Sequence, residues 1–268
     1  MQRAHLSQDA ERGRKWFRVV FSSLFFIFAF LPLALVVFYA TKFLSGNNRD
    51  FLNAALVLLS LAFYFWGSGS LLILLITSIL FNWFLGQRIA LGPARHKKNY
   101  LITGIAVNLS FLGYFKYCRF FLDTLGALIN TPLVPELHPT LPVGISFYTF
   151  MTISYLVEVY RMPRDKATLL EFGTYLSLFP HLVAGPIVRF GEVAADMRQR
   201  DALTIDNFSR GIIRFTQGLA MKVLIADNLS PTADHIFGLN HSALGFATSW
   251  LGALCYTFQI YFDFAGYS

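Results

Sequence analysis

Two long stretches without a charged residue constrain this chain more than any other feature of its sequence. Residues 19–41 and 51–87 contain no Asp, Glu, Lys or Arg and are rich in Leu, Phe, Ile, Val and Ala. A helix of about 20 such residues crosses the roughly 30 Å hydrocarbon layer of a bilayer. The first stretch is long enough for one crossing. The second is interrupted by WGSGS at 66–70, which predicts a tight turn between two helices of about 16 to 17 residues.

The composition excludes an ordinary soluble domain. Charged residues make up 14% of the 268 residues and hydrophobic residues 55%, whereas soluble domains carry about 25% charged residues. We therefore predict an all-α, polytopic membrane protein. Further apolar blocks lie at 100–115, 141–157, 172–188 and 242–262, and together with the two stretches above they predict about five to seven crossings. Pro and Gly within LPVGISFY (141–148) and FPHLVAGPIVRF (179–190) predict broken, re-entrant segments around a channel.

The distribution of charge predicts an orientation in the membrane. Residues 88–98 and 160–166 are both basic, and two predicted crossings separate them, so the positive-inside rule places both in the cytoplasm. We attribute the net charge of +7 to such loops and to contacts with anionic lipid, and not to nucleic-acid binding. The two cysteines and six histidines lack metal-ligand spacing, so we predict neither a disulfide nor a metal site.

The N-terminal residues do not fit that orientation. Residues 1–18 form a polar, basic extension, and residues 19–268 are predicted to belong to one membrane domain. Three predicted crossings lie between the extension and the loop at 88–98, which would put a basic tail outside the cell. Two explanations remain open: one of the three segments does not cross, or the extension is not part of the protein.

Two local patterns predict particular helices. A helical face at spacings of 4, 3 and 4 is formed by Phe208, Ile212, Phe215 and Leu219. With a basic stripe beside it, this face predicts an amphipathic helix in the headgroup region, or alternatively a span packed with its polar side inward. TLLE at 168–171 matches a helix-capping box directly ahead of an apolar run.

Asp263 is the most informative single residue, because it lies in the apolar segment QIYFDFAGYS (259–268). A carboxylate near the bilayer centre costs about 2.5 to 3.5 kcal/mol, so we expect it to face the protein interior and a hydrogen-bond partner. Gln259, Tyr261 and Tyr267 are near enough in sequence to supply that partner. Two interpretations remain open: Asp263 lines a polar chamber or orients a catalytic base, or it joins two helices as a buried structural residue.

His181 and Arg189 are the other candidates. His181 lies within a continuous apolar block, where it is either a base or ligand or a hydrogen-bonded core residue. Arg189 ends the same block and either attracts an anionic donor or extends to the interface. With Asp263, Gln259 and Tyr261, these residues are our candidates for lining a substrate channel, and no catalytic residue is assigned. No hydrolase, Walker or dinucleotide motif occurs in the sequence.

Six blocks in order cover nearly the whole chain from about Val20: VFSSLFFIFAFLPL (20–33), LGYFKY (112–117), LPVGISFYTF (141–150), FPHLVAGPIVRF (179–190), FTQGLAMKVLIAD (215–227) and QIYFDFAGYS (259–268). Together they resemble the bacterial membrane-bound O-acyltransferase family, and in particular the branch that acetylates alginate and other exopolysaccharides.

The resemblance implies a multi-pass protein of the bacterial inner membrane. It implies that an acyl group from acetyl-CoA or an acyl carrier passes through the membrane to a secreted polysaccharide, with no bound cofactor. The partners implied are the lipid bilayer, periplasmic acetyl-transfer proteins and the polysaccharide synthesis machinery.

The sequence departs from the family in one respect. The family's essential histidine lies in a Trp-His-Gly segment, and no Trp-His pair occurs in this sequence. We therefore expect the chain to be the N-terminal part of a longer enzyme and to be inactive and unstable alone. VVFSS at 19–23 resembles the family's opening residues, so we also expect that the natural start is Val19. The alternative interpretations are a membrane transporter or channel, or an inactive fragment.

Overall fold

The computed structural model describes residues 22–46, 48–129, 140–182, 185–198, 204–240 and 244–268, and within these ranges the chain is helical with no strand. The all-α prediction is confirmed, whereas the basic extension and Val19 lie outside the described residues. The α-helices are α1 (Leu31–Leu44), α2 (Arg49–Ser68), α3 (Leu72–Leu91), α4 (Ala94–Leu112), α5 (Cys118–Leu128), α6 (Ile145–Arg161), α7 (Leu169–Ser177), α8 (Phe179–Leu182), α9 (Phe190–Arg198), α10 (Ile205–Ala220), α11 (Asp227–Phe237) and α12 (Phe246–Tyr267).

Three short π-helical segments continue directly into neighbouring α-helices. They are Phe26–Phe30, Gly113–Tyr117 and Met221–Ala226. A π-turn inserts one residue into an α-helix and changes which side chains share a face, and such turns are frequent at functional sites. The third of them shapes the candidate site described below.

Three helical segments are long and apolar enough to cross a bilayer. They are Phe26–Leu44, Arg49–Leu91 and Ala94–Leu128. In the most apolar 18-residue window of each, only 11%, 28% and 17% is buried, respectively. Helices whose apolar side chains face outward in this way require an apolar solvent, so this chain is a membrane protein. The total number of crossings and the predicted channel remain predictions.

The chain forms two compact units by contact density. The first holds α2 to α9 and nearly all of α1, and the second holds α10 to α12 with the π-turn at Phe26–Phe30. That residues 19–268 form one domain therefore remains a prediction.

The breaks that the sequence predicts are present. Gly69 adopts φ +55° after α2, and Gly144 adopts φ +73° before α6, a backbone conformation that favours glycine. The helices on either side of Gly69 each have 20 residues, longer than we predicted, because α2 continues through Trp66–Ser68 and α3 continues past Gln87 to Leu91. The segment at 179–190 is also broken, since α8 is a single turn and residues 185–189 are not helical.

Four aromatic rings form the centre of the first unit. Tyr155 and Phe172 have ring centroids 4.5 Å apart, and Phe190 lies 5.3 Å from Tyr155 and 5.4 Å from Tyr175. The Tyr175 hydroxyl donates to the Val188 carbonyl at 2.8 Å. The cluster therefore ties the non-helical residues before α9 to the helical core and satisfies one of their backbone acceptors.

The predicted capping box begins α7, and its buried Glu171 also forms an ion pair. Thr168 Oγ1 accepts from the Glu171 N–H at 3.2 Å, and Glu171 Oε2 accepts from the Thr168 N–H at 2.9 Å. Arg198 Nε donates to Glu171 Oε1 at 2.9 Å, and the Glu171 side chain is 5% exposed. Burial alone would raise the pKa of Glu171, but the bonds from Arg198 and Thr168 outweigh it and lower that pKa below its usual range.

Candidate functional site

In the second unit, α10, the π-turn after it, α11 and α12 bring a group of polar side chains together. In the π-turn, the Asp227 N–H donates to the Lys222 carbonyl five residues earlier. Residues five apart lie on different faces of a regular α-helix, but this wider turn brings them to the same face. As a result, Lys222 Nζ lies 2.9 Å from Asp227 Oδ1.

A contact between two glycines brings α12 against the same face. A Cβ on Gly218 would overlap the Gly266 carbonyl oxygen, and a Cβ on Gly266 would lie 2.6 Å from the Gly218 carbonyl oxygen. Only residues without side chains allow two helix backbones to approach this closely. Lys222 is one turn after Gly218, and Asp263 is one turn before Gly266, so the crossing places their side chains together.

Lys222 therefore lies between two aspartates, which we call the Lys222 cluster (Lys222, Asp227 and Asp263). Its Nζ atom is 2.9 Å from Asp263 Oδ1 as well as from Asp227 Oδ1. The side chains of Lys222, Asp227 and Asp263 are 28%, 45% and 44% exposed. Two carboxylates and one ammonium leave one net negative charge, and both bonds are charge-assisted. The cluster can orient a hydrogen-bonding group in a substrate and can accept a proton from it.

Gln259 extends the polar surface by one turn of α12. Its Nε2 donates to Ser230 Oγ at 3.2 Å, and the Ser230 hydroxyl donates to Asp234 Oδ2 at 3.2 Å. Gln259 Oε1 is buried and has no hydrogen-bond partner within the described residues. A buried amide oxygen without a donor is unfavourable, so Gln259 can accept a hydrogen bond from a hydroxyl group.

Two of the predicted site residues lie close together in the second unit, and a third points elsewhere. Asp263 has a partner, as we predicted, but that partner is Lys222 and not one of the residues near it in sequence. Gln259 lies on the same helix and bonds to Ser230. Tyr261 is 62% exposed, and its ring contacts Phe262 edge to face at 5.2 Å.

The remaining two candidates lie in or beside the broken segment of the first unit. His181 Nε2 is 2.7 Å from the Tyr175 carbonyl oxygen, a contact that requires the proton on Nε2 and leaves Nδ1 as the acceptor. This bond favours the interpretation of His181 as a hydrogen-bonded core residue. Arg189 is exposed, and its guanidinium forms no salt bridge with any residue that the structure describes.

Sequence reasoning missed Lys222, although the signal was available. Lys222 interrupts the apolar run AMKVLIA at 220–226 in the same way as Asp263 interrupts its own segment. The insertion-cost argument applies equally to a lysine, so the two opposite charges should have been paired with each other. No group of three or more His, Cys, Asp or Glu in the described part of the chain could hold a metal ion.

Comparisons with known proteins give one consistent family. The sequence model of the MBOAT, membrane-bound O-acyltransferase family, matches residues 95–268, a range that includes the Lys222 cluster and His181. The probable alginate O-acetylase AlgI of Pseudomonas aeruginosa is 42% identical over 257 residues, which cover 93% of this chain and 48% of that protein. The protein of the same description from Azotobacter vinelandii is 42% identical over 258 residues, covering 93% and 50%.

A relative with a different described acceptor also matches. The peptidoglycan O-acetyltransferase of Helicobacter pylori is 35% identical over 280 residues, which cover 94% of this chain and 52% of that protein. The chain thus spans about half the length of the curated relatives that it matches. No solved structure matches it significantly.

Proposed function

The chain belongs to the membrane-bound O-acyltransferase family, and from this premise we propose that the protein acts in the O-acetylation of a polysaccharide outside the cytoplasm. The observation that carries the proposal is the 42% identity to alginate O-acetylases over 93% of the chain. The peptidoglycan O-acetyltransferase is less similar, at 35%. A secreted polysaccharide such as alginate is therefore our preferred acceptor, ahead of the peptidoglycan of the cell wall.

The reaction proposed is the transfer of an acetyl group from a thioester to a hydroxyl. The hydroxyl oxygen attacks the carbonyl carbon, the C–O bond forms, the C–S bond breaks, and the hydroxyl proton is passed through a base to the thiolate. We propose acetyl-CoA or an acyl carrier as the donor. The family resemblance implies that the base is a histidine in a Trp-His-Gly segment, and we assign that role to none of the residues described.

We propose a bacterial inner-membrane location, with the donor supplied from the cytoplasmic side and the acceptor on the opposite side. The membrane setting is supported by the three candidate spans and by the family. Periplasmic acetyl-transfer proteins and the polysaccharide synthesis machinery are the partners that this arrangement requires, because the acceptor is made and modified outside the membrane core.

Within this reaction, we propose that Asp263 and Gln259 line the polar path and position the hydroxyl acceptor or an intermediate acetyl carrier. Lys222 holds the Asp263 carboxylate in a fixed direction through its 2.9 Å contact. Gln259 Oε1 is a buried acceptor that a substrate hydroxyl would satisfy. His181, Arg189 and Tyr261 remain candidates for lining other parts of the path.

The experiment that tests the function is deletion of the chromosomal gene in its native host. Alginate-type exopolysaccharide and peptidoglycan are isolated separately, and ester-linked acetate is released from each with mild base and measured per sugar. We expect the deletion to remove acetate from the exopolysaccharide and to leave peptidoglycan acetylation unchanged. Loss from peptidoglycan alone would reassign the acceptor, and unchanged acetate in both glycans would contradict the proposed function.

A further inference from the structure

A cavity of about 250 Å³ lies in the first unit between α3, α4 and α6. Its wall is apolar, with side chains from Leu74, Phe81, Val107, Phe111 and Phe115. The rings of Phe111 and Phe115 stack with centroids 6.5 Å apart and planes within 14°, which gives one side of the cavity a flat hydrocarbon surface. A cavity with this lining suits an apolar group such as part of a hydrocarbon chain.

The cavity is closed on its inner side and open on its outer side. Tyr148 and Thr149 line it and are 5% and 1% exposed, so they form its inner wall. Thr77 and Phe111 also line it but are exposed, so they mark its mouth. A molecule can therefore enter from outside the protein without a rearrangement of the helices.

The amides that line the cavity already bond to each other. Asn108 Nδ2 donates to Asn82 Oδ1 at 2.7 Å, and Asn82 Nδ2 donates to Asn108 Oδ1 at 3.3 Å. Asn108 Nδ2 also donates to the Gly104 carbonyl, and Asn82 Nδ2 to the Ser78 carbonyl. Because these groups are satisfied within the wall, they offer little to water or to a polar ligand.

The position of the cavity identifies its surroundings. The helices that contribute most of its lining belong to two candidate membrane spans, Arg49–Leu91 and Ala94–Leu128, whose apolar windows are mostly unburied. The mouth residues Thr77 and Phe111 belong to these two spans, so the cavity opens at the depth of the lipid hydrocarbon. Among the residues that the structure describes, none of those lining the cavity is charged.

A positive charge lies next to the cavity. Lys116 follows Phe115 directly, is exposed, and donates from Nζ to Ser146 Oγ at 3.3 Å. Ser146 is in the first turn of α6, two residues before Tyr148. An apolar slot with an ammonium group beside it is complementary to a molecule with an alkyl chain and an anionic head, which is the chemistry of a phospholipid.

We propose that this cavity binds part of one acyl chain of a bilayer phospholipid, with Lys116 contacting the phosphate of the same molecule. The lipid fills the space between α3, α4 and α6 as a bound component of the protein and is distinct from any acyl donor. This site shares no residue with the Lys222 cluster, and its occupancy can be measured without an activity assay.

The test is to purify the protein from its native membranes in a mild detergent and to measure the retained phospholipid by native mass spectrometry. Val107→Phe fills the cavity with a ring. Val36→Phe is the matched control, because Val36 is 64% exposed on α1 in another candidate span. We expect wild type and Val36→Phe to retain one phospholipid that Val107→Phe has lost.

Two further variants keep the test decisive if Val107→Phe fails to fold. Thr77→Phe narrows the mouth at an exposed position and should also lose the lipid. Lys116→Gln should retain less of it than Arg119→Gln, because Arg119 bonds to Asp123 and lies outside the cavity. Equal phospholipid retention in wild type, Val107→Phe and Thr77→Phe would overturn the proposal, as would retention of an acyl thioester in its place.

Discussion

Asp263 and Glu171 are both carboxylates beside apolar segments, but the chain compensates their charges differently. Glu171 is almost fully buried and is held by Arg198 and by its own capping box. Asp263 is 44% exposed and shares Lys222 with a second carboxylate. A fully satisfied pair is typical of a structural role, whereas a shared and accessible lysine leaves capacity for another ligand.

Asp263→Asn should lower acetylation of the exopolysaccharide about tenfold or more, because a carboxamide cannot hold Lys222 in the same geometry. Lys222→Gln should have a similar effect, and the double variant should be no worse than either single one, as expected for residues that act as a unit. The measurement is base-released acetate per sugar, normalised to the amount of protein in the membrane. Asp206→Asn, in an exposed pair with Arg210, serves as the control and should leave acetylation unchanged.

Glu171→Gln should destabilise the protein near neutral pH by about 1–3 kcal/mol. This is less than the cost of breaking a fully buried pair, because Arg198 is 34% exposed. The folded-state pKa of Glu171 is lowered, so the ion pair contributes fully above its unfolded pKa of about 4.3. That contribution is lost as the pH falls through the lower folded-state pKa. Thermal unfolding of wild type and variant in detergent at several pH values checks this.

The difference in Tm between wild type and Glu171→Gln should be largest near pH 7 and should shrink toward pH 3. Asp50→Asn removes a carboxylate from an exposed pair with Arg49 and should show only a small difference throughout. A Glu171→Gln difference that stayed constant from pH 7 to pH 3 would mean that the charge of Glu171 does not cause the stabilisation.

At the scale of helices, the features that could be predicted from the sequence are those whose determining residues lie close together in the chain. The break at 66–70, the capping box at 168–171 and the amphipathic helix beginning at Ile205 each follow from residues within a few turns, and all three are present. Local patterns do not predict the distant partners of Asp263 and Glu171, although the insertion costs of Lys222 and Asp263 indicated that these two charges should be paired. Lys222 reaches Asp263 only through a π-turn and a crossing of two helices, which no short pattern encodes.

Gly266→Ala should therefore separate α10 from α12 and break the contact between Lys222 and Asp263. The added Cβ would lie 2.6 Å from the Gly218 carbonyl oxygen, which belongs to the backbone and cannot rotate away. We expect acetylation to fall as it does in Asp263→Asn, together with a lower Tm. Membrane content, acetate release and thermal unfolding are measured in parallel.

Gly211→Ala on α10 is the matched control, because a Cβ there has no atom within 4 Å. Alanine is favoured over glycine within a helix by about 1 kcal/mol, so this variant should be as stable as wild type or more so. If Gly266→Ala retained both acetylation and stability, the close crossing would not be what positions the Lys222 cluster.

At the scale of the whole molecule, the direction of α4 across the membrane decides which parts of the chain face the donor. Its first five residues include Arg95, Lys97 and Lys98, whereas beyond its other end Asp123 offsets one of the two cations, Lys116 and Arg119. A run of basic residues next to a span is retained on the cytoplasmic side. The cavity residues Val107 and Phe111 are near the middle of the candidate span Ala94–Leu128, but Lys116, the proposed phosphate contact, is in the half away from that basic end, so the proposed lipid would belong to the periplasmic leaflet.

Cysteine labelling tests this orientation in intact cells. The native Cys118 and Cys255 are free thiols, so both are first replaced by Ser. Ala94→Cys should react with a membrane-impermeant maleimide only after the inner membrane is permeabilised, because it begins the basic end of α4. Asp123→Cys should react in spheroplasts without permeabilisation, since its side chain is 70% exposed and one span separates it from Ala94. Labelling of both positions under the same condition would show that Ala94–Leu128 does not cross the membrane, and the leaflet assigned to the lipid would then be wrong.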